Sequence, residues 1–188
     1  MRTFKVILQS LTPLLMHRFG EMARDALKAG TSASIKVMDP AAVAEQAAYR
    51  LPPTNGQPGD LYQPAEHIER AFYQAAGFHK IGRRSAKSVA GAAVGVSPRR
   101  IPHGTSRYEI DEQSGVNPST RGRVMLWRPR LDSWRLSFDL DLDETLIQPD
   151  LARKILEDAG RKIGIGAFRV AKGGRFGQFQ VVEFSEQA

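Results

Sequence analysis

The chain has no cysteine, which excludes disulfide bonds, thiolate catalysis and cysteine-ligated zinc. It also lacks any apolar run near the roughly 20 residues that a membrane-spanning helix needs. The first residues, MRTFKVILQS, have the pattern of a strand and contain no small-residue cleavage site. We therefore expect a cytoplasmic protein that is not exported and has no membrane partner.

Residues that usually mark a catalytic site are also scarce. The four histidines never show the spacing of a metal-binding pair, and no serine lies in a nucleophile motif. The sequence has no P-loop. The stretch GIGAFR partly matches a dinucleotide fingerprint, but Arg169 stands where the third glycine belongs, and the stretch follows a predicted helix rather than a strand. The sequence therefore predicts no cofactor, no metal and no assigned catalytic residue.

What the chain has in excess is positive charge. Its 188 residues contain 27 Lys and Arg against 20 Asp and Glu, for a net charge of +7. Residues 79–135 hold 12 of these cations and only 4 of the acids, whereas residues 1–78 are nearly balanced and residues 136–188 are slightly acidic. A clustered, arginine-rich excess is typical of proteins that bind polyanions. The distribution therefore favours nucleic acid as the partner over a merely solvated basic surface.

Hydrophobic periodicity predicts an α+β chain. Alternating apolar residues indicate strands, of which the one with Leu136, Phe138 and Leu140 has the strongest pattern. Helical spacing behind a proline predicts the two clearest helices, after Pro64 and Pro149. In chain order we predict strands over 3–9, 123–129, 134–143 and 176–184, and helices over 21–29, 40–50, 64–76, 83–91 and 149–160.

That order predicts a known topology once residues 79–122 are set aside as a large basic insertion. Counting the helices between the first two strands as one helical segment, the remaining core is strand, helix, strand, strand, helix, strand. This is the βαββαβ order of ferredoxin-like and RRM-like domains, in which two helices cover one face of an antiparallel sheet. We therefore predict one RRM-like domain over residues 1–188, elaborated by the insertion.

The segment GIGAFRVAKGGRFGQF, residues 164–179, is named the glycine-rich loop here. It contains five glycines, three cations and three phenylalanines, and no acid. Glycines let backbone N–H groups approach an anion closely, arginine can bind phosphate through two N–H groups, and Phe168 or Phe176 can stack on a base. The alternative is a long turn whose phenylalanines return to the core.

Three carboxylates form the main alternative site. In the predicted strand 134–143, Asp139, Asp141 and Asp143 alternate with apolar residues, so they are expected on one face, where they would suit a hard cation such as Mg²⁺. We favour a solvated acidic face instead. Because such a face would repel phosphate, we expect nucleic acid to bind elsewhere than on the open sheet, where RRM domains bind RNA.

A helix followed by a glycine-rich, basic and aromatic loop that enters the last strand resembles the RAMP (repeat-associated mysterious protein) superfamily. Its members supply RNA-binding subunits to CRISPR effector complexes, and the likeness is above all to the backbone subunits that polymerise along guide RNA. The segment TPLLMHRFG is comparable to a family segment that meets RNA, and parts of 79–122 are comparable to a projecting thumb. The chain also resembles small proteins of phages and mobile elements. The family's signature loop matches Gly164, Gly166, Gly173, Gly174 and Gly177.

Residues and resemblance together predict a non-catalytic protein that binds single-stranded nucleic acid, with RNA favoured over DNA. The resemblance implies a role in antiviral defence and an oligomer or ribonucleoprotein filament along the strand. One alternative is a metal-assisted or guide-RNA-processing endoribonuclease that uses His17 or the aspartate row. Another is a phage structural or host-interaction protein. The predicted binding residues are His17, Arg18, Arg83, Arg84, Lys87, Arg99, Arg100, Arg121, Arg123, Gly164, Gly166, Phe168, Arg169, Lys172, Gly173, Gly174, Arg175 and Phe176.

Overall fold

A computed structural model of the chain describes residues 1–18, 39–116 and 121–187. The helices are α1 (Pro40–Ala47), α2 (Ala65–Ala75), α3 (Lys87–Ala93) and α4 (Pro149–Asp158). The strands are β1 (Arg2–Ser10), β2 (Leu14–Leu15), β3 (Tyr62–Pro64), β4 (Lys80–Ile81), β5 (Arg84–Ser85), β6 (Val94–Ser97), β7 (Arg100–Pro102), β8 (Glu109–Val116), β9 (Arg123–Leu131), β10 (Arg135–Leu142) and β11 (Phe179–Glu186). Short 3₁₀ turns follow α2 at Ala76–Phe78 and lie within the glycine-rich loop at Val170–Lys172. A π turn follows α4 at Ala159–Ile163.

The main sheet has four strands in the order β11-β1-β10-β6, and every neighbouring pair is antiparallel. Val6 of β1 lies opposite Phe138 of β10 on one side and Phe184 of β11 on the other. The prediction of an α+β chain with antiparallel sheets is confirmed. The first and last strands of the chain are neighbours in this sheet, so the glycine-rich loop lies close to the end of β1.

One face of the main sheet carries the core. Residues of β1 and β10 alternate between buried and partly exposed, which is the pattern of a sheet covered on one side. α2 and α4 pack against each other and cover that face. Their buried apolar residues share one cluster with the inward residues of the sheet. The cluster includes Val6, Leu8, Ile68, Phe72, Phe138, Leu140, Ile155 and Leu156.

The prediction that 123–129 is a strand of the main sheet is wrong. That segment belongs to β9, which pairs along its whole length with β8, from Glu109 opposite Arg130 to Val116 opposite Arg123, and also with β2. The strand beside β10 is β6, which lies inside the segment set aside as an insertion. β8 is long enough to satisfy one edge of β9, while Val96 of β6 supplies a buried side chain to the main core.

The predicted helices shift by a few residues. The helix predicted over 40–50 ends at Ala47, and Asp39 caps its start by accepting a hydrogen bond from the Ala41 N–H at 3.3 Å. The helix predicted over 83–91 forms as α3, because Arg84–Ser85 is the second strand of a short hairpin. The helix predicted over 21–29 lies outside the described residues. Within the described ranges, no helix has both the length and the apolar character needed to cross a membrane.

Candidate functional site

The glycine-rich loop is a closely packed piece of backbone. A Cβ atom at Gly174 would overlap the carbonyl oxygen of Phe168, and one at Gly177 would overlap the carbonyl oxygen of Ile165. Gly177 also has a φ of +69°, which disfavours other residues. The chain closes on itself where the Phe176 N–H donates to the Phe168 carbonyl at 3.2 Å. These glycines are therefore required by packing, so they do not by themselves indicate a mobile lid.

The loop is docked onto the segment that leaves β1, residues 11–17. The Gly177 N–H donates to the Pro13 carbonyl at 2.7 Å, and the Ala167 N–H donates to the Leu15 carbonyl at 2.9 Å. Leu15 is fully buried. The two segments that the sequence singled out separately therefore form one hydrogen-bonded unit, which brings His17 beside the loop.

Two adjoining cavities open between this unit and α2. One is a cleft of about 230 Å³, which we call the histidine cleft, and its lining consists of His17, Tyr49, His67, Gly166, Ala167 and Arg169. The second, of about 90 Å³, also contains His67 and Arg169 and adds Arg70 and Gln74 of α2. No described residue that lines either cavity is a carboxylate. The pair of cavities therefore presents cations and neutral polar groups, which suits an anion.

The two histidines of the cleft are held as neutral rings near pH 7. Burial and the neighbouring Arg169 lower the pKa of His67, while partial burial and Arg128 lower the pKa of His17. The Gln63 Nε2 amide donates to Nδ1 of His67 at 2.6 Å, which leaves the ring proton on Nε2. Tyr49 packs edge-on against His67, with ring centroids 5.4 Å apart. The cleft thus offers both hydrogen-bond donors and a ring edge to a ligand.

Phe168 extends the site beyond the cleft. Its φ of +46° is uncommon for a residue with a side chain, and 38% of its surface is exposed. The Arg128 guanidinium lies 4.6 Å from the centre of its ring. Arg128 is only 6% exposed, and burial lowers its pKa while Asp111, opposite it in the β8–β9 hairpin, raises it. Phe168 is thus held in place with part of its ring in solvent, as a base-stacking residue needs to be.

The structure brings together some of the predicted binding residues. Lys172, Gly173 and Arg175 are exposed at the tip of the loop, and Phe176 is half-buried. Arg18 follows His17 and donates its backbone N–H to the Ala47 carbonyl at 2.9 Å. The predicted residues that lie in the loop or at the end of the docked segment are His17, Arg18, Gly164, Gly166, Phe168, Arg169, Lys172, Gly173, Gly174, Arg175 and Phe176.

Other predicted residues are not among those that line the two cavities. Arg121 and Arg123 are exposed, and Arg123 is about 17 Å along β9 from Arg128. The Arg99 guanidinium binds Glu66 and Glu69, and these contacts raise its pKa. Arg100 lies 5.5 Å from the Tyr62 ring centre. Arg83, Arg84 and Lys87 are exposed around the β4–β5 hairpin and the start of α3.

Sequence reasoning missed Tyr49, His67, Arg70 and Arg128 as site residues. His67, Arg70 and Gln74 are spaced so that they share one face of α2. Nothing in the sequence shows that this face meets Arg169. Tyr49 lies just past α1 and enters the cleft only through the tertiary fold.

Asp139, Asp141 and Asp143 do not form the cation site that was the alternative to a solvated acidic face. β10 ends at Leu142, and Asp143 lies in the following turn, where its Oδ1 accepts hydrogen bonds from the Thr145 backbone N–H and hydroxyl at 3.0 and 2.7 Å. Asp141 accepts a hydrogen bond from the Thr3 hydroxyl at 2.7 Å. Across the described ranges, no group of three or more His, Asp or Glu side chains is arranged to hold a metal ion.

No protein-family model matches the chain, and comparison with curated proteins gives no match. The geometry of the glycine-rich loop and the histidine cleft is therefore the basis for assigning a function.

Proposed function

We propose that the protein binds single-stranded nucleic acid without cutting it, with RNA as the favoured ligand. The observation that carries the proposal is the pair of cavities in which His17, His67, Arg70 and Arg169 meet, with no carboxylate among the described residues that line them. Arginine binds phosphate oxygens through parallel N–H groups, and the exposed Lys172 and Arg175 extend the positive surface along the loop. Phe168 supports the proposal because it is partly exposed and lies beside the Arg128 guanidinium.

RNA is favoured because the cleft holds neutral polar groups as well as cations. A phosphate-binding loop alone cannot distinguish ribose from deoxyribose, since only a group that reaches the 2′-hydroxyl can do so. His67 Nε2 and Tyr49 line the same cleft as Arg169. In the proposed complex, these groups contact the sugar of a nucleotide whose phosphate binds Arg169.

The same proposal includes a ferredoxin-like core of the RAMP kind. Numbering the main-sheet strands 1 to 4 along the chain as β1, β6, β10 and β11 gives the spatial order 4-1-3-2. α2 lies in the chain between the first two of these strands, and α4 lies between the last two. This arrangement supports a βαββαβ core in which β6 takes the second position. The glycine-rich loop then lies between the last helix and the last strand, as in the family that the sequence resembles.

The direct test compares two triple variants in fluorescence anisotropy with labelled single-stranded RNA and DNA of the same sequence. The loop variant Arg169→Ala/Lys172→Ala/Arg175→Ala should lose about 100-fold in affinity at moderate salt. The slope of log affinity against log salt should become shallower by about 2, since each phosphate contact on a single strand contributes about 0.7. RNA should bind more tightly than DNA.

The matched control is Arg135→Ala/Arg153→Ala/Lys154→Ala, which removes three exposed cations from β10 and α4. It should keep affinity within a few-fold of the unsubstituted protein. Urea unfolding should show that both variants are folded. Equal losses in the two triple variants would mean that only total charge matters, and the assignment of the loop as the binding surface would be wrong.

A second candidate, RNA cleavage without metal, is favoured by one observation. His17 and His67 line the same cleft near Arg169, so one neutral histidine could accept the proton of an attacking 2′-hydroxyl while the other, once protonated, gives a proton to the leaving 5′-oxygen. Incubating end-labelled RNA with the protein in a metal chelator tests this directly. Cleavage that is lost in His17→Ala and in His67→Ala, and on deoxy-substituted RNA, would replace the binding-only proposal. Intact RNA would support it.

A further inference from the structure

The surface beyond the histidine cleft carries two exposed aromatic rings, each covered by a lysine. Tyr73 near the end of α2 is 43% exposed, and Phe78 in the following turn is 57% exposed. The Lys87 ammonium lies 5.0 Å from the Tyr73 ring centre, and the Lys162 ammonium lies 5.0 Å from the Phe78 ring centre. We call Tyr73, Phe78, Lys87 and Lys162 the aromatic track.

The track continues the surface of the cavities. Arg70 and Gln74 of α2 line the smaller cavity together with Gly164 and Arg169. Lys162 lies two residues before Gly164, and its side chain reaches Phe78. From His67 to Phe78 the helix and turn rise about 18 Å. A ligand that leaves the cleft along α2 would therefore meet Arg70, then the two rings.

The charges around the track favour a polyanion. Two carboxylates lie beside it, and both are bound: Asp158 by Lys162 at 2.8 Å and by His79 at 3.0 Å, and Glu69, one turn before Tyr73 on α2, by Arg99. Three further exposed cations, Lys80, Arg83 and Arg84, lie on the hairpin between Phe78 and α3. A surface of exposed rings interleaved with lysines and arginines matches what a single strand needs, since bases stack on rings while phosphates meet cations.

We propose that the bound strand continues from the histidine cleft along α2, with bases stacked on Tyr73 and Phe78 and its phosphates on Lys87, Arg83 and Arg84. The inference rests on the proposed nucleic-acid binding and assigns it a second, stacking segment. It also gives roles to three predicted residues that do not line the two cavities, Arg83, Arg84 and Lys87.

The experiment measures affinity for oligouridylates of about 4 to 16 nucleotides, a range that covers one to several stacking positions. Tyr73→Ala/Phe78→Ala should weaken binding of the long oligomers at least 10-fold, and leave the shortest, which fill only the cleft, within about twofold. Tyr73→Phe and Phe78→Tyr keep the rings and should keep full affinity. Val182→Ala, which trims an exposed apolar side chain on β11, is the matched control and should change nothing.

A second readout reports stacking directly. Phe78→Trp places an indole on the track, and its fluorescence should be quenched by long oligomers more strongly than that of the unsubstituted protein. If the unsubstituted protein binds RNA but the double alanine variant binds long oligomers equally well, the track is not part of the strand's path, while the proposed function stands. If the double variant loses self-association rather than RNA, the track is a protein interface and the inference is wrong. Absence of binding by the unsubstituted protein would overturn both proposals.

Discussion

The loop side of the molecule and the outer face of the main sheet differ in whether their charged side chains have partners within the protein. On the outer face, Lys5 lies 3.6 Å from Asp139, and Asp139 also accepts a hydrogen bond from Gln187 at 2.7 Å. Within the described part of the chain, Arg70 and Arg169 form no ion pair with a carboxylate, and Arg169 donates to the Gly166 carbonyl at 3.3 Å. One surface neutralises its charges internally, whereas the other leaves positive charge for a ligand.

The difference shows that the pairing of charges, rather than their number, marks the candidate interface. Residues 136–188 are slightly acidic as a group, yet they contain the loop cations Arg169, Lys172 and Arg175. Their acids lie elsewhere, on strands, turns and α4. Exposed ion pairs contribute little free energy, so those on the outer face act mainly by cancelling the local potential.

The largest expected effect comes from Gly174→Ala, because the loop side depends on close backbone contact. The added methyl group would overlap the Phe168 carbonyl, so the loop has to rearrange. We expect the free energy of unfolding to fall by about 3 kcal/mol or more, and RNA affinity to fall with it. Urea unfolding followed by tryptophan fluorescence, together with anisotropy, measures both.

Gly173→Ala is the control for that substitution. Gly173 is the preceding residue, it has a φ of +77°, and a methyl group there would meet no atom within 4 Å. It should cost only the strain of a left-handed alanine, about 1 kcal/mol, and leave binding nearly unchanged. If the two alanine variants lose the same stability, the loop is not held by the contact that we describe.

Low pH should lower the free energy of unfolding through His103, which directly follows β7. None of the four main-sheet strands contains a histidine. Burial lowers the pKa of His103 to about 4, and neither of its ring nitrogens has a hydrogen-bond partner. The unfolded chain therefore binds a proton at His103 below about pH 6.5, while the folded chain does so only near pH 4. The free energy of unfolding should keep the whole of this His103 contribution above pH 6.5 and lose roughly 3 kcal/mol toward pH 4. In His103→Leu, urea unfolding across this range should lose that part of the slope.

RNA affinity should respond to acid in the opposite direction. His17 and His67 have lowered pKa values in the free protein, and a bound phosphate would favour their charged forms. Lowering the pH from about 7.5 to about 6 should therefore raise affinity several-fold, and His17→Ala/His67→Ala should remove most of the increase. A pH response that is unchanged in the double variant would place the phosphate away from the cleft.

Local sequence signals predicted the elements better than their partners. Alternation at Phe4, Val6 and Leu8 and the proline before α4 were enough to place β1 and α4. No hydrophobic alternation marks β6, because this strand has only four residues and one of them is Gly95. The strand that pairs with β10 depends on which strand edges remain free after β8 and β9 have paired. No local pattern in the sequence predicts which strand that is.

The candidate site was predictable as a loop and not as a cleft. Its glycines, Arg169 and Phe168 stand out in the sequence because they are adjacent. Tyr49, His67 and Arg128 come from three other segments and meet the loop only through the docking of residues 11–17 and the packing of α2. The aspartates are a similar case. Alternation predicts Asp143 on the same strand face as Asp139 and Asp141, but β10 ends at Leu142, one residue before it.

The smallest expected effect is on the outer sheet face, and it tests the other half of the comparison. Asp139→Asn/Asp141→Asn removes two negative charges, which would strengthen RNA binding clearly if the strand crossed this face. We expect a change of less than about twofold at moderate salt, because in the proposed complex the strand does not cross this face and salt screens exposed charges over about 10 Å. The free energy of unfolding should fall by about 1 kcal/mol, since the Lys5 pair and the Thr3 hydrogen bond are weakened. A gain in affinity as large as the loss in the loop variant would move the binding surface to the open sheet, where RRM domains bind RNA.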